Sequence, residues 1–149
     1  MSRSWDLCFL ALAEHVATWS KDESRKVGCV IVGPDKDVRA IGFNGFPRGV
    51  DDDVPARRAG PDKYLWTEHA ERNAIYNAAR VGISLKGCTA YLPWFPCMDC
   101  ARAIVQSGIT TLVCGQSPDL TDPKWGADFA SVPVLLLEGG VELRVERVA

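Results

Sequence analysis

The sequence has no long apolar run, no internal repeat and no excess of basic residues. No apolar stretch approaches the roughly 20 residues that a membrane-spanning helix needs, so we expect no membrane span. The 17 basic and 19 acidic side chains give a net charge of −2, and such a surface does not attract nucleic acid over long range. No signal-peptide pattern opens the chain, so we expect a cytoplasmic protein that binds neither membranes nor nucleic acid.

Histidine is also scarce, with only two copies, whereas cysteine occurs six times. In a reducing compartment these cysteines are free thiols or metal ligands rather than disulfides. The chain has 149 residues, of which 47% are apolar and 24% charged, as in an ordinary globular protein. This length predicts one domain over residues 1–149, large enough to bury a core.

Hydrophobic periodicity predicts helices and strands along the whole chain. The helices are expected over residues 5–19, 69–81, 97–107 and, interrupted by Pro133, 128–138. The strands are expected over residues 27–32, 38–43, 87–92, 110–114 and, at an edge of the sheet, 141–148. The first two strands should pair antiparallel, and the strand–helix–strand order that follows predicts a parallel pair with a right-handed crossover. Residues 51–62 show no clear period and are expected to fold back over the functional site.

Two short motifs stand at the starts of neighbouring predicted helices. His69-Ala70-Glu71 begins one helix, and Pro96-Cys97-Met98-Asp99-Cys100 begins the next. Cys97 and Cys100 are three residues apart, so their side chains share a helical face. Together the motifs read H-x-E followed by P-C-x-x-C, which resembles the signature of the zinc-dependent nucleobase deaminases.

This resemblance implies a catalytic zinc site. A catalytic zinc takes three protein ligands and keeps a fourth position for water, and the ligands would be His69, Cys97 and Cys100. A bound zinc lowers the pKa of water from ~15.7 towards ~7. Glu71 is not needed as a ligand, and it is close enough to His69 in sequence to take a proton from that water. It would then pass the proton on and help ammonia to leave.

The C-x-x-C spacing alone also fits a redox-active dithiol or a structural zinc site. Redox chemistry would need neither His69 nor Glu71. A structural zinc would need a fourth protein ligand, which Cys88 or Cys114 could supply. A non-catalytic zinc or nucleotide-binding protein is therefore the remote alternative, although such a protein gains nothing from an acid at position 71.

Three further stretches resemble the cytidine and deoxycytidylate deaminase superfamily, and most of all the deoxycytidylate (dCMP) deaminases. Ser20-Lys21-Asp22 with Lys26-Val27-Gly28-Cys29 resembles the S-K-D…V-G opening of that family. Residues 42–47, G-F-N-G-F-P, resemble its G-[YF]-N-G-x-P loop, and residues 49–67 resemble a segment that free-nucleoside deaminases lack. The resemblance covers the chain from Trp5 to about Cys114.

The resemblance implies an α/β fold of three layers, with a mixed five-stranded sheet flanked by helices. It also implies one zinc per subunit, a homo-oligomer that is a dimer or larger, and hydrolysis of dCMP to dUMP and ammonia. By motif match, Asn44 would contact the sugar and the backbone amide of Ala70 the pyrimidine carbonyl. Trp94 and Phe95 would help to wall the base pocket. From the spacing alone, Asn44 could equally cap its own backbone in a turn.

The chain departs from the dCMP deaminases in two places. Residues 116–126 contain no tyrosine or histidine, whereas the corresponding loop of those enzymes often carries both, and Trp94 is bulky for a residue beside the pocket. The substrate could therefore instead be a free base, a nucleoside or a modified heterocycle. For a nucleotide, the candidate phosphate partners are Lys21, Arg25 and Arg48. The apolar surface of the helix over residues 97–107 and of the Trp94 turn also predicts an oligomer.

Overall fold

The apolar runs of the sequence form a five-stranded sheet with helices on both of its faces. The computed structural model describes residues 4–147. Its strands are β1 (Gly28–Val32), β2 (Val38–Phe43), β3 (Thr89–Leu92), β4 (Thr111–Cys114) and β5 (Glu142–Val145). Its helices are α1 (Trp5–Ala17), α2 (Pro55–Arg58), α3 (Lys63–Trp66), α4 (Ala70–Val81), α5 (Met98–Gln106) and α6 (Gly126–Glu138), and a 3₁₀ turn at Gly60–Asp62 precedes α3. Within the described residues, no helix has the length and apolar character needed to cross a membrane.

The strand order is β2-β1-β3-β4-β5, and the sheet contains both kinds of pairing. β1 runs antiparallel to β2 and β3, while β3, β4 and β5 run parallel. All five residues of β1 are buried, because this strand lies inside the sheet and is covered on both faces. The predicted mixed sheet, its first antiparallel pair and its later parallel pair are confirmed.

The two faces of the sheet pack against different helices, because side chains alternate along each strand. One face meets α1 through a buried cluster that consists of Phe9, Leu10, Ala13, Val16, Val30, Val32, Tyr91 and Val113. The other face meets α4, α5 and α6, and its cluster includes Ile31, Ala74, Leu92, Ile104, Leu112, Val132 and Leu136. The result is the expected three-layer α/β arrangement.

The helix boundaries depart from the prediction where local signals are weak. α1 begins as predicted, with the Ser4 hydroxyl accepting a hydrogen bond from the Leu7 N–H at 3.3 Å, but it ends at Ala17. The stretch over residues 44–67 contains α2, the 3₁₀ turn and α3. These elements have only three or four residues each, which is too short to show a helical period.

The last helix and strand also differ from the prediction. α6 runs without a break through Pro133, because one proline removes only one backbone hydrogen bond while Val132 and Leu136 remain packed in the core. The last strand does lie at an edge of the sheet, parallel to β4. The predicted strand extended to Val148, which lies outside the described residues.

The exposed apolar side chains do not lie on α5 and the Trp94 turn, so the predicted location of an oligomer interface there is wrong. Among residues 4–147, neither α5 nor Trp94 presents a large exposed apolar side chain. Val105 of α5 and Trp94 instead pack against the core. The most exposed large apolar side chains are elsewhere, at Leu65, Leu137 and Val81.

A glycine in β2 sets how closely α4 approaches the sheet. A Cβ atom added at Gly42 would overlap the backbone nitrogen of Ala74 and the backbone oxygen of Ala70. Only a hydrogen atom fits between strand and helix at this point, so α4 rests directly on the strand backbone. The start of α4 carries His69 and Glu71, and the height of both side chains above the sheet therefore depends on this contact.

We expect Gly42→Ala to lower the free energy of unfolding by about 2 kcal/mol or more, because the added methyl group forces α4 away from β2. Gly45→Ala is the matched control three residues further along the chain, since the nearest atom to its added Cβ lies 3.9 Å away. That control should stay within about 0.5 kcal/mol of the parent protein. Urea unfolding of both variants measures the free energy of unfolding. An equal decrease in both variants would contradict the role of Gly42.

Candidate metal centre and substrate pocket

Three potential metal ligands meet where α4 and α5 begin. His69 occupies the N-cap position of α4 and Cys97 that of α5, yet neither side chain caps its own helix. The sulfurs of Cys97 and Cys100 instead lie 3.5 Å and 3.4 Å from Nδ1 of His69. The three ligand atoms all lie within 4.8 Å of one another. Both N-cap positions therefore supply side chains to a shared centre rather than to their helices.

The spacing of this centre fits a zinc ion. Tetrahedral coordination with Zn–N at ~2.0–2.1 Å and Zn–S at ~2.3 Å places nitrogen and sulfur about 3.6 Å apart. The two nitrogen–sulfur distances of 3.5 Å and 3.4 Å are close to that value. One imidazole nitrogen and two sulfurs are also donors that zinc prefers. His69, Cys97 and Cys100 could therefore hold zinc with a fourth position left open.

The two cysteines proposed as a fourth structural ligand lie outside this centre. Within residues 4–147, the group that could hold a metal consists of His69, Cys97 and Cys100 alone. Cys114 is buried in β4, and Cys88 is buried beside Arg39. The arrangement therefore matches an open, three-ligand site rather than a closed structural one.

The backbone amides at the two helix starts find other partners. Oδ2 of Asp128, in α6, accepts a hydrogen bond from the Met98 N–H at 3.0 Å. Oε1 of Glu68 accepts one from the His69 N–H at 3.1 Å. These carboxylates take the place of the missing N-caps. Their negative charge also interacts favourably with the positive end of each helix dipole. Asp128 was missed in the sequence, because it lies 30 residues from the amide that it caps.

Glu71 lies in the first turn of α4 and is only 5% exposed. Burial raises the pKa of its carboxyl group above the usual value. The carboxyl lies outside the three-ligand group, and the residue lines the pocket beside His69. A carboxyl group can accept and release a proton, as general acid–base catalysis requires, and a raised pKa makes Glu71 a stronger proton acceptor than an ordinary glutamate.

The two thiols of the centre differ in their tendency to ionise. A hydrogen bond from Cys100 lowers the pKa of Cys97 to about 4, and His69 adds to this effect. The same hydrogen bond, together with burial, raises the pKa of Cys100. The hydrogen bond to Cys97 and its charge also raise the pKa of His69. A metal ion would displace the proton that the two sulfurs share, because only thiolates bind zinc.

A pocket of about 310 Å³ opens over these residues. Its wall contains all four residues predicted to bind substrate, namely Asn44, Ala70, Trp94 and Phe95, together with His69, Glu71 and Cys97. The Phe95 ring packs edge-on against Phe129 with ring centroids 5.5 Å apart, which fixes that side of the pocket. The sequence motifs, the buried acid and the predicted substrate residues thus converge on one cavity.

The Asn44 side chain is hydrogen-bonded to the neighbouring backbone. Its Oδ1 accepts from the Val27 N–H and its Nδ2 donates to the Arg25 carbonyl, both at 2.8 Å. The amide thus fastens residues 25–27 to the loop after β2, which is a long-range contact and not the local turn cap that was the alternative from the sequence. Asn44 also lines the pocket, and within residues 4–147 its Nδ2 has one acceptor, the Arg25 carbonyl.

Three cationic side chains surround the pocket: Arg25, Lys63 and Lys124. Arg25 lies over the Trp94 ring, 4.5 Å from its centroid. Lys124 lies over the Tyr64 ring, and Lys63 is 3.4 Å from Asp22. Of the phosphate partners proposed from the sequence, only Arg25 lines the pocket.

The other two sequence candidates for phosphate binding lie outside the pocket wall. Lys21 pairs with Asp52 at 3.0 Å on an exposed surface, and Arg48 is exposed. Sequence analysis missed Lys63 and Lys124, because only the fold brings the start of α3 and the segment before α6 to the same opening. Local sequence around either lysine carries no signal for this arrangement.

Comparisons with known proteins agree with this geometry. A family model described as the cytidine and deoxycytidylate deaminase zinc-binding region matches residues 3–116. An uncharacterised deaminase from the luxG 3′ region of Aliivibrio fischeri is 39% identical over 145 residues, which cover 96% of this chain and 94% of that protein. Human deoxycytidylate deaminase is 40% identical over 146 residues, covering 94% of this chain and 78% of the human enzyme.

A solved structure shares the fold over nearly the whole chain. The crystal structure of dCMP deaminase from the cyanophage S-TIM5 in apo form superposes with a TM-score of 0.76 at 25% identity. The match covers 98% of this chain and 100% of the cyanophage chain. The three-layer architecture is therefore that of a known deaminase.

We expect one zinc per chain, bound through one nitrogen at ~2.0–2.1 Å and two sulfurs at ~2.3 Å. Cys97→Ala should lose the metal, because it removes one of the three donors. Cys88→Ala should keep it, since Cys88 is buried away from the centre. Elemental analysis and X-ray absorption spectroscopy measure both results, and a third sulfur at bonding distance would contradict the open site.

Proposed function

Because the chain belongs to the cytidine and deoxycytidylate deaminase family, we propose that it hydrolyses dCMP to dUMP and ammonia with a zinc cofactor. The observation that carries this proposal is the meeting of His69, Cys97 and Cys100 beside the buried acid Glu71 in one pocket. The 40% identity to human deoxycytidylate deaminase over most of both chains supports dCMP as the substrate.

In this proposal His69, Cys97 and Cys100 hold the zinc, and Glu71 moves the protons. When bound, zinc lowers the pKa of a water molecule from ~15.7 towards ~7. Glu71 would take one proton from the attacking water and pass it to the ring nitrogen while the water oxygen bonds to the ring carbon. It would then move the second proton of that oxygen to the amine, so that the carbon–nitrogen bond breaks and ammonia leaves. Its buried position excludes competing water, and its raised pKa suits a group that must both accept and donate.

The walls of the pocket would orient the base and the sugar. Ala70 is the first residue of α4, where a backbone N–H has no partner within the helix. We assign this N–H to the carbonyl of the pyrimidine, and the helix dipole there favours a partly negative oxygen. Trp94 and Phe95 would contact the faces and edge of the base, and Asn44 would donate its second amide hydrogen to the sugar.

The cations around the pocket favour a nucleotide over an uncharged substrate. Arg25 and Lys124 lie over aromatic rings and make no salt bridge within residues 4–147. Asp122 lies at the same opening, but its Oδ1 already accepts hydrogen bonds from two backbone amides. The two cations are therefore available to a phosphate group, which prefers such donors.

An uncharged substrate is the second candidate. Trp94 fills part of the pocket wall and holds the guanidinium of Arg25 over its ring. This arrangement narrows the space for a phosphate, and it would favour a free base, a nucleoside or a modified heterocycle under the same zinc chemistry. A non-catalytic zinc protein is disfavoured, since burying a carboxyl such as Glu71 costs free energy without benefit to a structural site.

We also propose a homo-oligomer, a dimer or larger, as the family resemblance implies. Exposed apolar side chains such as Leu65, Leu137 and Val81 support an interface outside α5. Light scattering at micromolar concentration should give a mass well above the 16.3 kDa of one chain. A single-chain mass would contradict this proposal.

Glu71→Gln should lower turnover by about 10²- to 10⁴-fold, because the amide keeps the shape of the side chain but cannot carry a proton. The zinc content should stay at one per chain, since His69, Cys97 and Cys100 are unchanged. Turnover and zinc are measured on the same preparation. Retention of more than about a tenth of the parent turnover would exclude the proton-transfer role.

Lys124→Gln and Arg25→Gln should each lower kcat/KM for dCMP by about 10- to 100-fold, the effect of losing one hydrogen bond to a charged group. The same variants should leave kcat/KM for deoxycytidine nearly unchanged, because that substrate has no phosphate. Arg48→Gln is the matched control, since Arg48 is exposed and does not line the pocket. An equal decrease in kcat/KM for dCMP and for deoxycytidine would contradict phosphate binding at Arg25 and Lys124.

A further inference from the structure

Arg72 is a cation in a place that disfavours positive charge. It is the third residue of α4, where the dipole of the helix is positive. Its side chain is only 20% exposed, so solvent screens the guanidinium poorly. Its charge must be offset by neighbouring groups, and those groups belong to both helices of the metal centre.

Two carboxylates on either side of the centre contact this guanidinium. Nε of Arg72 lies 2.6 Å from Oε1 of Glu68, the same oxygen that accepts the His69 N–H. Nη1 lies 3.4 Å from Oδ2 of Asp99, which stands in the first turn of α5 between Cys97 and Cys100. A single side chain thus connects the residue before one ligand with the residue between the other two.

The guanidinium of Arg72 also interacts electrostatically with the two cysteines of the centre. Its buried Nε–H makes no hydrogen bond of acceptable geometry within the described residues, although Glu68 is close. Burial acts to lower the pKa of the guanidinium, but the charges of Cys100, Glu68 and Cys97 outweigh burial and raise it. Both cysteine sulfurs therefore lie within electrostatic reach of Arg72.

We infer that Arg72 is a positioning residue that holds the starts of α4 and α5 at the spacing a zinc ion needs, before the metal binds. The inference rests on the ligand set proposed above. The carboxylates of Glu68 and Asp128 bind the amides at the two helix starts, but neither of these hydrogen bonds joins α4 to α5. The bridge from Glu68 through Arg72 to Asp99 supplies one that crosses between the helices.

The chain offers a matched control for this bridge. Arg102 pairs with the same Asp99 carboxylate, but it is 55% exposed and lies three residues further along α5. Arg102→Gln therefore removes a guanidinium from Asp99 without breaking the connection between helices. Arg72→Lys keeps the charge but replaces the planar fork with one ammonium group, which cannot bridge two carboxylates in the same way.

The test measures zinc affinity by competition with a chelator, and ligand geometry by the absorption spectrum of the cobalt-substituted protein. Arg72→Gln should weaken zinc binding by about 10- to 100-fold and shift the thiolate-to-cobalt bands, as loss of a supporting contact to metal ligands does. Arg102→Gln should leave both unchanged, and Arg72→Lys should recover only a small part of the affinity. The inference would be overturned if Arg72→Gln bound zinc as tightly as the parent protein, or if Arg102→Gln lost as much zinc affinity as Arg72→Gln. It would also be overturned if Arg72→Lys bound zinc as tightly as the parent protein.

A second variant keeps the inference testable if Arg72→Gln does not fold. Asp99→Asn removes the α5 end of the bridge at a position that is 59% exposed, so it should fold and still weaken zinc. Where the double variant is soluble, it should bind zinc no more weakly than Arg72→Gln, because the two residues act through one connection. An unchanged affinity in Asp99→Asn would overturn the inference. Absence of zinc from the parent protein would instead refute the proposed function, so the two failures are distinguishable.

Discussion

The convergence of two helix starts is the constraint on which the structure depends. α4 and α5 both pack on the same face of the sheet, and their N-cap residues are His69 and Cys97. Gly42 allows α4 to rest on the backbone of β2, and Asp128 of α6 satisfies an amide at the start of α5. Core packing thus brings a nitrogen and two sulfurs to a spacing that suits zinc, although neither helix gains a local cap. The carboxylates of Glu68, next to His69 in sequence, and of Asp128, 30 residues from Met98, offset the free energy lost at the caps.

The electrostatics of the pocket explain how a chain of net charge −2 can accommodate an anionic substrate. Positive charge stands at the opening of the pocket, where Arg25 and Lys124 are supported by the rings of Trp94 and Tyr64. A cation–π contact holds a positive charge in place without neutralising it. A carboxylate partner would neutralise that charge. The bulky Trp94, which is unexpected beside a nucleotide pocket, is thereby also the support for a cation.

Sequence reasoning predicted those features that are local in the chain. Helical geometry predicted that Cys97 and Cys100 share a face, and the resemblance to the deaminase signature predicted that they meet His69 and Glu71 at one centre. The buried run of β1 likewise predicted an interior strand. Lys63, Lys124 and Asp128 could not be predicted, because their roles arise only when distant segments meet. The short helices over residues 44–67 escaped detection for a different reason, since three or four residues do not complete a period.

The most direct test of the account is a measurement of ammonia release by the zinc-loaded protein from a panel of substrates. The panel comprises dCMP, CMP, cytidine, cytosine, guanine and adenine, each assayed for kcat/KM under one set of conditions. We expect dCMP to be turned over most efficiently, because the pocket combines the buried acid Glu71 with two cations, Arg25 and Lys124, that make no salt bridge within residues 4–147. Faster turnover of cytidine, cytosine or a purine would contradict the assigned substrate. Release from none of them, with zinc bound, would contradict the catalytic role of the site.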